Sequence, residues 1–291
     1  MYQGFFTTMP TATVQDSAPE HHRLAKTNGA RNGSIGPAWI PSQVEGVTLR
    51  RTTEFSFDSV EEALSAFARG VPVVVMDDER RENEGDIIIS ASQCSVEAMA
   101  WIIKHTSGYI CISLPEERLN ELEIPMMVPE NQERHKTAYT ITVDYKHGTT
   151  TGISAHDRSL TVRKLVDPTS TASDFSRPGH MVPLRAQNRG VLERRGHTET
   201  GVDLCALTNQ PLGGVLCELV NDDALGTMAR RDDCRSFADR WGLKMISVDM
   251  LVQYRIAIES GEYCDTMTDE KNTYRLVYTY RALYTDVATR L

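Results

Sequence analysis

Residues 77–86 carry the densest group of chemically capable side chains in the sequence. The segment reads DDERRENEGD and lies between the apolar stretches VPVVVM and IIISA. Glu82, Glu84 and Asp86 alternate, so an extended backbone would direct the three carboxylates to one side. Carboxylates so close together repel unless a proton or cation intervenes, and Mg²⁺ is a cation that suits such oxygen ligands. A solvated loop is the alternative, but the position beside a buried strand favours a site.

Residues 194–199, RRGHTE, form a second candidate group. Two arginines, a glycine and His197 immediately precede a helical pattern. The start of a helix offers free backbone N–H groups and the positive end of the helix dipole, and both favour a phosphate. The structural alternative is a helix capped by Thr198 with arginines on the surface.

Two further polar residues are candidate site residues because of their neighbours in the sequence. His180 ends the loop sequence RPGH, and Glu218 lies within the apolar stretch GVLCELV. Burying a carboxylate in an apolar strand is costly unless it is paired, protonated or bound to a metal. Glu218 is therefore a candidate acid or base, with ordinary exposure on an edge strand as the alternative.

Hydrophobic periodicity places these groups on alternating helices and strands. Helical patterns cover 58–70, 95–108, 115–122, 158–167, 197–208, 232–242 and 248–261. Strand patterns cover 71–76, 86–91, 109–114, 139–145, 213–220 and 243–248, with a short extended piece at 177–187. This alternation predicts a layered sheet with helices packed on it.

Composition excludes several classes of protein. The 291 residues include 31 Lys and Arg against 40 Asp and Glu, a net charge of −9, which argues against general nucleic-acid binding. No apolar run approaches the roughly 20 residues of a membrane-spanning helix, so no membrane association is expected. The six cysteines are dispersed, without a C-x-x-C pair. They are interpreted as reduced thiols, and the predicted location is the cytoplasm.

The two ends of the sequence differ from its middle. Residues 1–52 are rich in Thr, Ser, Ala, Pro, Asn and Gly, which predicts a disordered N-terminal extension. Its composition supports mitochondrial targeting only weakly, because acids accompany its few basic residues. Residues 53–260 form the predicted catalytic domain, and residues 261–291 a C-terminal extension of uncertain structure.

Taken in order, the motifs closely resemble the 3,4-dihydroxy-2-butanone 4-phosphate synthase family. The motifs are DDExRENEGD, SAxDR, RPGH, RxGHTE and CELxND, and the resemblance covers residues 56–258. The RRGHTE variant and the insert around 129–137 look more like fungal members. The resemblance implies an α+β fold: a single layered α/β/α domain with helices around a mixed β-sheet. It also implies a homodimeric lyase of riboflavin biosynthesis. This enzyme would convert D-ribulose 5-phosphate into L-3,4-dihydroxy-2-butanone 4-phosphate and formate, using two Mg²⁺ or Mn²⁺ ions per subunit.

The resemblance also assigns roles to individual residues. It implies metal binding by Glu82 and His197, and catalytic roles for His180, Glu218 and Glu84. The implied substrate contacts are Arg81, Glu82, Asp86, Asp157, Arg194, Arg195, Gly196, His197, Thr198 and Glu218. Cys111 matches a position that lines the family's pocket, and we hypothesise that glutathione caps its thiol reversibly.

The chemistry suggests a division of labour among these residues. We hypothesise that Glu218 and one of Glu84 or Asp86 serve proton transfers at C3 and C1, while His180 acts in later steps. Arg194 and Thr198 would anchor the 5-phosphate.

Two alternative functions remain open beside the synthase activity. Another metal-dependent sugar-phosphate isomerase or aldolase would release no formate, and a catalytically silent phosphosugar-binding protein would lack the acids or His197.

Overall fold

Seven strands and seven helices make up the part of the chain that the computed structural model describes, residues 38–45 and 55–261. The helices are α1 Val60–Ala68, α2 Val96–His105, α3 Glu116–Glu121, α4 Ala155–Leu165, α5 His197–Leu207, α6 Arg231–Trp241 and α7 Val248–Ser260. The strands are β1 Val73–Met76, β2 Gly85–Ser90, β3 Cys111–Leu114, β4 Val143–Tyr145, β5 Phe175–Arg185, β6 Gly214–Glu218 and β7 Lys244–Ser247. The predicted alternation of helices and strands is confirmed.

The strands form one mixed sheet in the order β4-β5-β3-β6-β2-β1-β7. β1 pairs in parallel with β7 and β3 with β5, whereas the other neighbours are antiparallel. β6 and β2 lie in the middle, and their register sets Asp86 opposite Glu218. Two carboxylates from distant parts of the sequence are thereby cross-strand neighbours.

Helices cover both faces of the sheet, so the predicted layered α+β architecture is confirmed. Successive residues of β2 point to opposite faces. Ile87 and Ile89 join a core cluster with residues of α2 and α4, and Ile88 joins a second cluster with α1, α5 and α7. Burial on both faces explains why β1 and β2 read as continuous apolar runs rather than alternating ones.

Several boundaries differ from the sequence prediction. The strand expected at 139–145 is confined to Val143–Tyr145, and Tyr139 and Thr140 make only isolated bridges before it. α4 begins at Ala155 rather than at residue 158, because the Ser154 side chain accepts the N–H of Asp157 and caps the helix. Local periodicity does not reveal such bridges and caps.

Asp58 stands three residues before Glu61, a spacing typical of a capping box, but it does not cap α1. The cap is Ser59, whose hydroxyl accepts the N–H of Glu62. Asp58 instead accepts hydrogen bonds from Arg235 at 2.7 Å, from the Met245 N–H at 2.9 Å and from Lys244 at 3.0 Å. Burial alone would raise the pKa of Asp58, but these hydrogen bonds outweigh burial and lower that pKa.

Asp58→Asn is expected to lower the free energy of unfolding at neutral pH by about 1.5–3 kcal/mol, the range for hydrogen bonds to a charged group. Because the pKa of Asp58 is lower in the fold, its stabilisation is present above the unfolded pKa of about 3.9 and is lost as pH falls through the folded value. Urea unfolding at pH 7 and pH 3 should therefore show the gap to wild type shrinking in acid. An equal gap at both values would contradict this. Asp249→Asn, at an exposed ion pair with Arg195, is the control, expected within about 0.5 kcal/mol of wild type.

Part of the predicted N-terminal extension packs on the folded domain. The ring of Trp39 lies 5.2 Å from that of Trp101 on α2, and the Val44 N–H donates to the Arg240 carbonyl. The expectation of disorder therefore does not hold for residues 38–45. The rest of the predicted extension up to residue 52, and residues 262–291, lie outside the described residues.

The five described cysteines are free and buried, as the sequence predicted for reduced core thiols. Cys264 lies outside the described residues. Within 38–45 and 55–261, no helix has the length and apolar character needed to cross a bilayer.

Candidate active site

The acidic segment folds around one of its own side chains, Asp77. β1 ends at Met76, and the buried carboxylate of Asp77 follows it. This carboxylate accepts the N–H of Glu82 at 3.1 Å, the N–H of Glu84 at 2.9 Å and the Arg81 guanidinium at 2.8 Å. These hydrogen bonds close a tight turn and hold Glu82 at the mouth of the sheet.

His197 lies at the first position of α5 and is buried against this turn. Its Nε2 lies 3.1 Å from the carbonyl oxygen of Val75. Because a carbonyl can only accept, Nε2 carries the proton and Nδ1 keeps its lone pair. Nδ1 lies 3.6 Å from Asp86 Oδ1 and 3.9 Å from Glu82 Oε2. Burial lowers the pKa of His197, so the neutral imidazole, the form that binds metals, is favoured.

The carboxylates of the site repel one another. Asp86 is only 3% exposed, and burial, followed by the charges of Glu218 and Glu82, raises its pKa well above the ordinary value. Burial and the same two neighbours also raise the pKa of Glu84. Asp86 Oδ1 is buried and has no hydrogen-bond partner in the described part of the chain. Such an oxygen needs a proton or a cation beside it.

A divalent cation fits this arrangement. Asp77, Glu82 and His197 each offer one ligand atom, and these atoms lie within 4.8 Å of one another. A neutral imidazole with carboxylate oxygens is a donor set that suits a divalent ion. The hydrogen bond from His197 to Val75 is of the kind that orients a metal-binding histidine. Asp77 already accepts three hydrogen bonds, so Glu82 and His197 are the freer pair of ligands.

Glu218 ends β6 and faces the same cleft. Ser107 holds it twice: the hydroxyl donates to Glu218 Oε2 at 2.9 Å, and the Ser107 N–H donates to the Glu218 carbonyl. Glu218 is half-buried, and its strand is central in the sheet, so exposure on an edge strand does not apply. The carboxylate is thus oriented while it remains accessible to a ligand.

The start of α5 lies at the other side of the cleft. Its N-cap is Gly196, which has no side chain to accept a hydrogen bond, so Thr198 is not the cap and lies in the first turn. An uncapped start leaves N–H groups for an anion. Beside it, the Arg194 guanidinium donates to Glu199 Oε2 at 2.6 Å and to Thr137 Oγ1 at 2.9 Å. These contacts fix the position of a cation next to the helix start.

Most of the residues that the sequence predicted for the site line one cleft. The cleft is lined by Arg81, Glu82, Glu84, Asp86, Cys111, Thr137, Tyr139, Leu184, Arg194, His197, Thr198, Leu216 and Glu218. Acids, an imidazole, a guanidinium and a helix start therefore surround one small space. This combination can hold a cation, bind a phosphate and exchange protons.

Three predicted substrate contacts are not among the residues that line this cleft. Arg195 pairs with Asp249 and lines a neighbouring cavity of about 760 Å³, which is larger but lacks the acid cluster around His197. Gly196 contributes backbone to the helix start rather than cleft wall. Asp157 is buried in the first turn of α4, where its carboxylate accepts from Thr150 at 2.7 Å and from the Gly152 N–H at 3.0 Å. The geometry thus gives Asp157 contacts with the 149–153 turn and none with the cleft.

His180 also lies outside the cleft. It is on β5, and β3 separates this strand from β6, which carries Glu218. Two strand spacings amount to about 10 Å. The His180 side chain is 42% exposed, and its Nδ1 lies 2.6 Å from Asp144 Oδ2. Within one subunit, the two predicted catalytic residues His180 and Glu218 therefore stand apart.

Cys111 lines the cleft, but its surroundings disfavour the reactive thiolate form. The residue is buried, and burial, with the nearby charge of Glu218, raises the pKa of its thiol well above the ordinary value. A mixed disulfide with glutathione forms through the thiolate, so this environment disfavours the hypothesised capping.

Four residues at or beside the cleft were not predicted from the sequence as site residues: Asp77, Ser107, Thr137 and Tyr139. Asp77 was within the acidic segment, but nothing local distinguishes its buried role from the exposed Asp78 beside it. Thr137 lies in the polar segment 128–138, whose composition is typical of a surface loop. Its hydroxyl meets Arg194, 57 residues away, so no local pattern could have shown the contact.

Comparisons with known proteins agree on one family. Residues 61–254 match the model of the 3,4-dihydroxy-2-butanone 4-phosphate synthase family. A synthase of that name from Schizosaccharomyces pombe is 53% identical over 197 residues, 67% of this chain and 96% of the relative. Riboflavin biosynthesis protein RibBA of Rhodococcus erythropolis is 48% identical over 199 residues, 68% of this chain and 47% of that protein.

A solved structure has the same fold. The crystal structure of a 3,4-dihydroxy-2-butanone 4-phosphate synthase in complex with two magnesium ions aligns with a TM-score of 0.69 and 44% identity. The alignment covers 71% of this chain and all of that one.

Proposed function

The chain belongs to the 3,4-dihydroxy-2-butanone 4-phosphate synthase family, and from this we propose how its own residues perform the reaction. It is an enzyme of riboflavin biosynthesis, a metal-dependent lyase that converts D-ribulose 5-phosphate into L-3,4-dihydroxy-2-butanone 4-phosphate and formate. The observation that carries the residue assignment is the single cleft in which Glu82, His197 and Glu218 meet an uncapped helix start.

Glu82 and His197 are proposed to hold the metal. The turn around Asp77 supports this role, since its hydrogen bonds hold the backbone of Glu82 and so position its side chain near His197. We propose two ions per subunit, because the cleft has several carboxylates and a related synthase was solved with two magnesium ions. Mn²⁺ is proposed to replace Mg²⁺, because carboxylate oxygens and an imidazole suit both ions. When bound, a divalent ion stabilises negative charge that develops on neighbouring substrate oxygens.

Arg194 and Thr198, with the N–H groups at the start of α5, are proposed to bind the phosphate of the substrate. Glu199 and Thr137 hold the Arg194 guanidinium in place, so little side-chain freedom is lost on binding. A fixed phosphate places the reacting carbons at the other end of the cleft. Arg81, which pairs with Glu82, lies beside them.

Proton transfers are assigned to the acids that remain. Glu218, oriented by Ser107, and one of Glu84 or Asp86 serve C3 and C1 of the substrate. The raised pKa of Glu84 and of Asp86 supports the assignment, because an acid that titrates closer to neutrality can both take and return a proton.

The decisive experiment is formate release from D-ribulose 5-phosphate by the purified chain with Mg²⁺. Stoichiometric formate and the four-carbon phosphate are expected, and chelation by EDTA should abolish both until Mg²⁺ or Mn²⁺ is restored. Consumption of the substrate without formate would instead identify an isomerase or aldolase. No consumption would indicate a phosphosugar-binding protein.

We propose that the enzyme is a homodimer whose cleft is completed by His180 of the partner subunit. Two observations support this arrangement. His180 is exposed and lies two strands away from Glu218 in its own subunit. Exposed apolar side chains also belong to the segments around it: Tyr109, Met127, Val128 and Ile153. Such side chains suit an interface between two copies.

Subunit mixing tests this proposal. Glu82→Gln and His180→Ala are each expected to be inactive, but in a mixed dimer one site would contain both native residues. Random mixing gives half mixed dimers with one intact site each, so about a quarter of wild-type activity should return. Each variant refolded alone is the control. No recovery in a mixture that contains mixed dimers would place His180 and Glu82 of one subunit in the same site.

The remaining assignments are also proposals. The catalytic domain spans 53–260, supported by the family match at 61–254 and by described elements that run from α1 to α7. Residues 1–52 and 261–291 are extensions. A cytoplasmic location is supported by the five free cysteines, as expected in a reducing compartment. Asp157 and Arg195 contribute to substrate binding only through the segments that they hold.

A further inference from the structure

We propose that Asp203 and Arg255 are positioning residues that set where the Arg194 guanidinium lies when the substrate phosphate binds. This role rests on the proposed function of Arg194 and deepens it, because the two residues act from behind the cleft. Neither of them lines the cleft or belongs to the motifs that identified the family. Asp203 lies on α5 and Arg255 on α7, and the turn Gly190–Leu192, which precedes Arg194, contacts both helices.

Asp203 and Arg255 form an ion pair in the interior of the domain. The Arg255 guanidinium donates to Asp203 Oδ2 at 2.8 Å, and the two side chains are 2% and 0% exposed. Among the ion pairs of the described residues, no other has both side chains so fully buried. Desolvation of two charges offsets much of their attraction, so a buried pair stabilises a fold little more than apolar side chains would. What such a pair supplies is direction, since charge-assisted hydrogen bonds hold their partners at defined points.

Both members of the pair also hold backbone groups of one short segment. Asp203 Oδ2 accepts the N–H of Val191 at 3.0 Å, and the Arg255 guanidinium donates to the carbonyl of Arg189 at 2.7 Å. Gly190 lies between these two points with a φ of +58°, and a side chain there would collide with Asp203 Oδ1 and Arg255 Nη1. The backbone therefore packs directly on the ion pair, and a shift of the segment would break both hydrogen bonds.

A short path of contacts leads from this segment to the cleft. The Gly190 carbonyl accepts the N–H of Arg194 at 3.1 Å. Glu199 lies one helical turn before Asp203 on the same face of α5, and it accepts the Arg194 guanidinium at 2.6 Å and the N–H of Gln187 at 3.1 Å. Two carboxylates of one helix thus fix the segment at both ends, and Arg194 can meet a phosphate without first being ordered.

Replacement of both charges tests the inference. Removing one partner alone would leave an unpaired buried charge and destabilise the fold, whereas Asp203→Asn/Arg255→Met leaves none. This double variant keeps side chains of similar size but loses the charge-assisted hold on the segment. We expect KM for D-ribulose 5-phosphate and the inhibition constant of inorganic phosphate to rise about tenfold, with kcat and Mg²⁺ affinity within about threefold. Glu259→Gln, which removes the half-exposed carboxylate beside Arg255, is the matched control, and both constants should stay within about twofold.

A double-mutant cycle with Arg194→Gln separates positioning from packing. If the pair acts through Arg194, adding Asp203→Asn/Arg255→Met to Arg194→Gln should change the phosphate inhibition constant by less than about twofold. Loss of packing would lower the folded fraction and therefore the apparent kcat, but not the phosphate constant of the molecules that stay folded. Effects that multiply in full would overturn the inference, since the pair would then act independently of Arg194.

Amide hydrogen exchange of the wild-type protein supplies a second test that needs no variant. The N–H groups of Val191 and Arg194 are hydrogen-bonded within the fold. Mass spectrometry of the peptide that covers 187–194 should show slow exchange without phosphate and little change when inorganic phosphate is added. Fast exchange that slows only with phosphate would mean that the ligand orders the segment. That result would overturn the inference even if the double variant failed to fold.

The kinetic outcomes separate this inference from the proposed function. If Arg194→Gln leaves the phosphate inhibition constant unchanged, the premise and the inference fall together. If Arg194→Gln raises that constant and Asp203→Asn/Arg255→Met does not, Arg194 binds phosphate but the positioning role is refuted. Formate release by the wild type is measured first, because it decides the proposed reaction independently of either variant.

Discussion

Replacing Glu82 with glutamine is expected to lower kcat for formate release by about 10³-fold or more and to weaken Mg²⁺ binding at the same site. The amide keeps the size of the side chain but removes the negative charge that a divalent ion requires. Charge stabilisation by a bound ion is worth several kcal/mol in a transition state, and about 4 kcal/mol corresponds to this loss of rate. Formate release reports the first effect, and calorimetric titration with Mg²⁺ reports the second.

The matched control is Glu79→Gln, which removes an exposed negative charge from the same acidic turn. Its kcat and Mg²⁺ affinity should remain within about twofold of wild type, since exposed charges are well screened. The assignment of Glu82 as a ligand is wrong if its variant binds Mg²⁺ as tightly as the Glu79 variant does. His197→Gln should behave like the Glu82 variant, because the hydrogen bond to Val75 leaves Nδ1 facing Glu82 and Asp86, where it would hold the ion.

Glu218→Gln is expected to have a comparable effect on rate by a different route. Its kcat should fall by about 10³-fold, within the range for loss of a general acid or base, while KM and Mg²⁺ affinity stay within about threefold. The fold should survive, because glutamine still accepts the Ser107 hydroxyl and no longer repels Asp86. Steady-state formate release, Mg²⁺ titration and thermal unfolding together check the three expectations.

Glu117→Gln, at an exposed position of α3, controls for removing a charge anywhere on the protein. A Glu218 variant that loses Mg²⁺ affinity in proportion to its activity would place Glu218 among the ligands instead. A variant with wild-type kcat would exclude it from the chemistry. If the protein only binds phosphosugars, the wild type will show no turnover. Wild-type activity is therefore measured before the Glu82 and Glu218 variants are compared with it.

Local sequence was enough to predict the elements and the identity of the cleft acids. Apolar runs and helical periodicity depend on neighbours within a few residues, so β1, β2 and α5 were found close to their observed bounds. Glu82, Glu84 and Asp86 do line one cleft, but the extended backbone expected for them is not present. Glu82 lies in the turn around Asp77, Asn83 has a φ of +54°, and only Asp86 belongs to β2.

Contacts between distant segments could not be derived in this way. The family motifs named His180 and Asp157, but they did not reveal that Asp144 holds the first or that the second is buried under the 149–153 turn. Arg194 and Arg195 are adjacent and chemically alike, yet Arg194 lines the cleft and Arg195 pairs with Asp249 at a neighbouring cavity. Only the direction of each side chain from the folded backbone separates them.

The sequence by itself therefore determined the elements, the family and the acids of the cleft, because these depend on residue type and short-range spacing. The tertiary structure alone decided which side chains meet. Sheet register sets Asp86 against Glu218, the turn around Asp77 brings Glu82 near His197, and hydrogen bonds between β4 and β5 join Asp144 to His180. Each of these contacts joins groups whose distance is set by packing and backbone path. A one-dimensional pattern does not contain that distance.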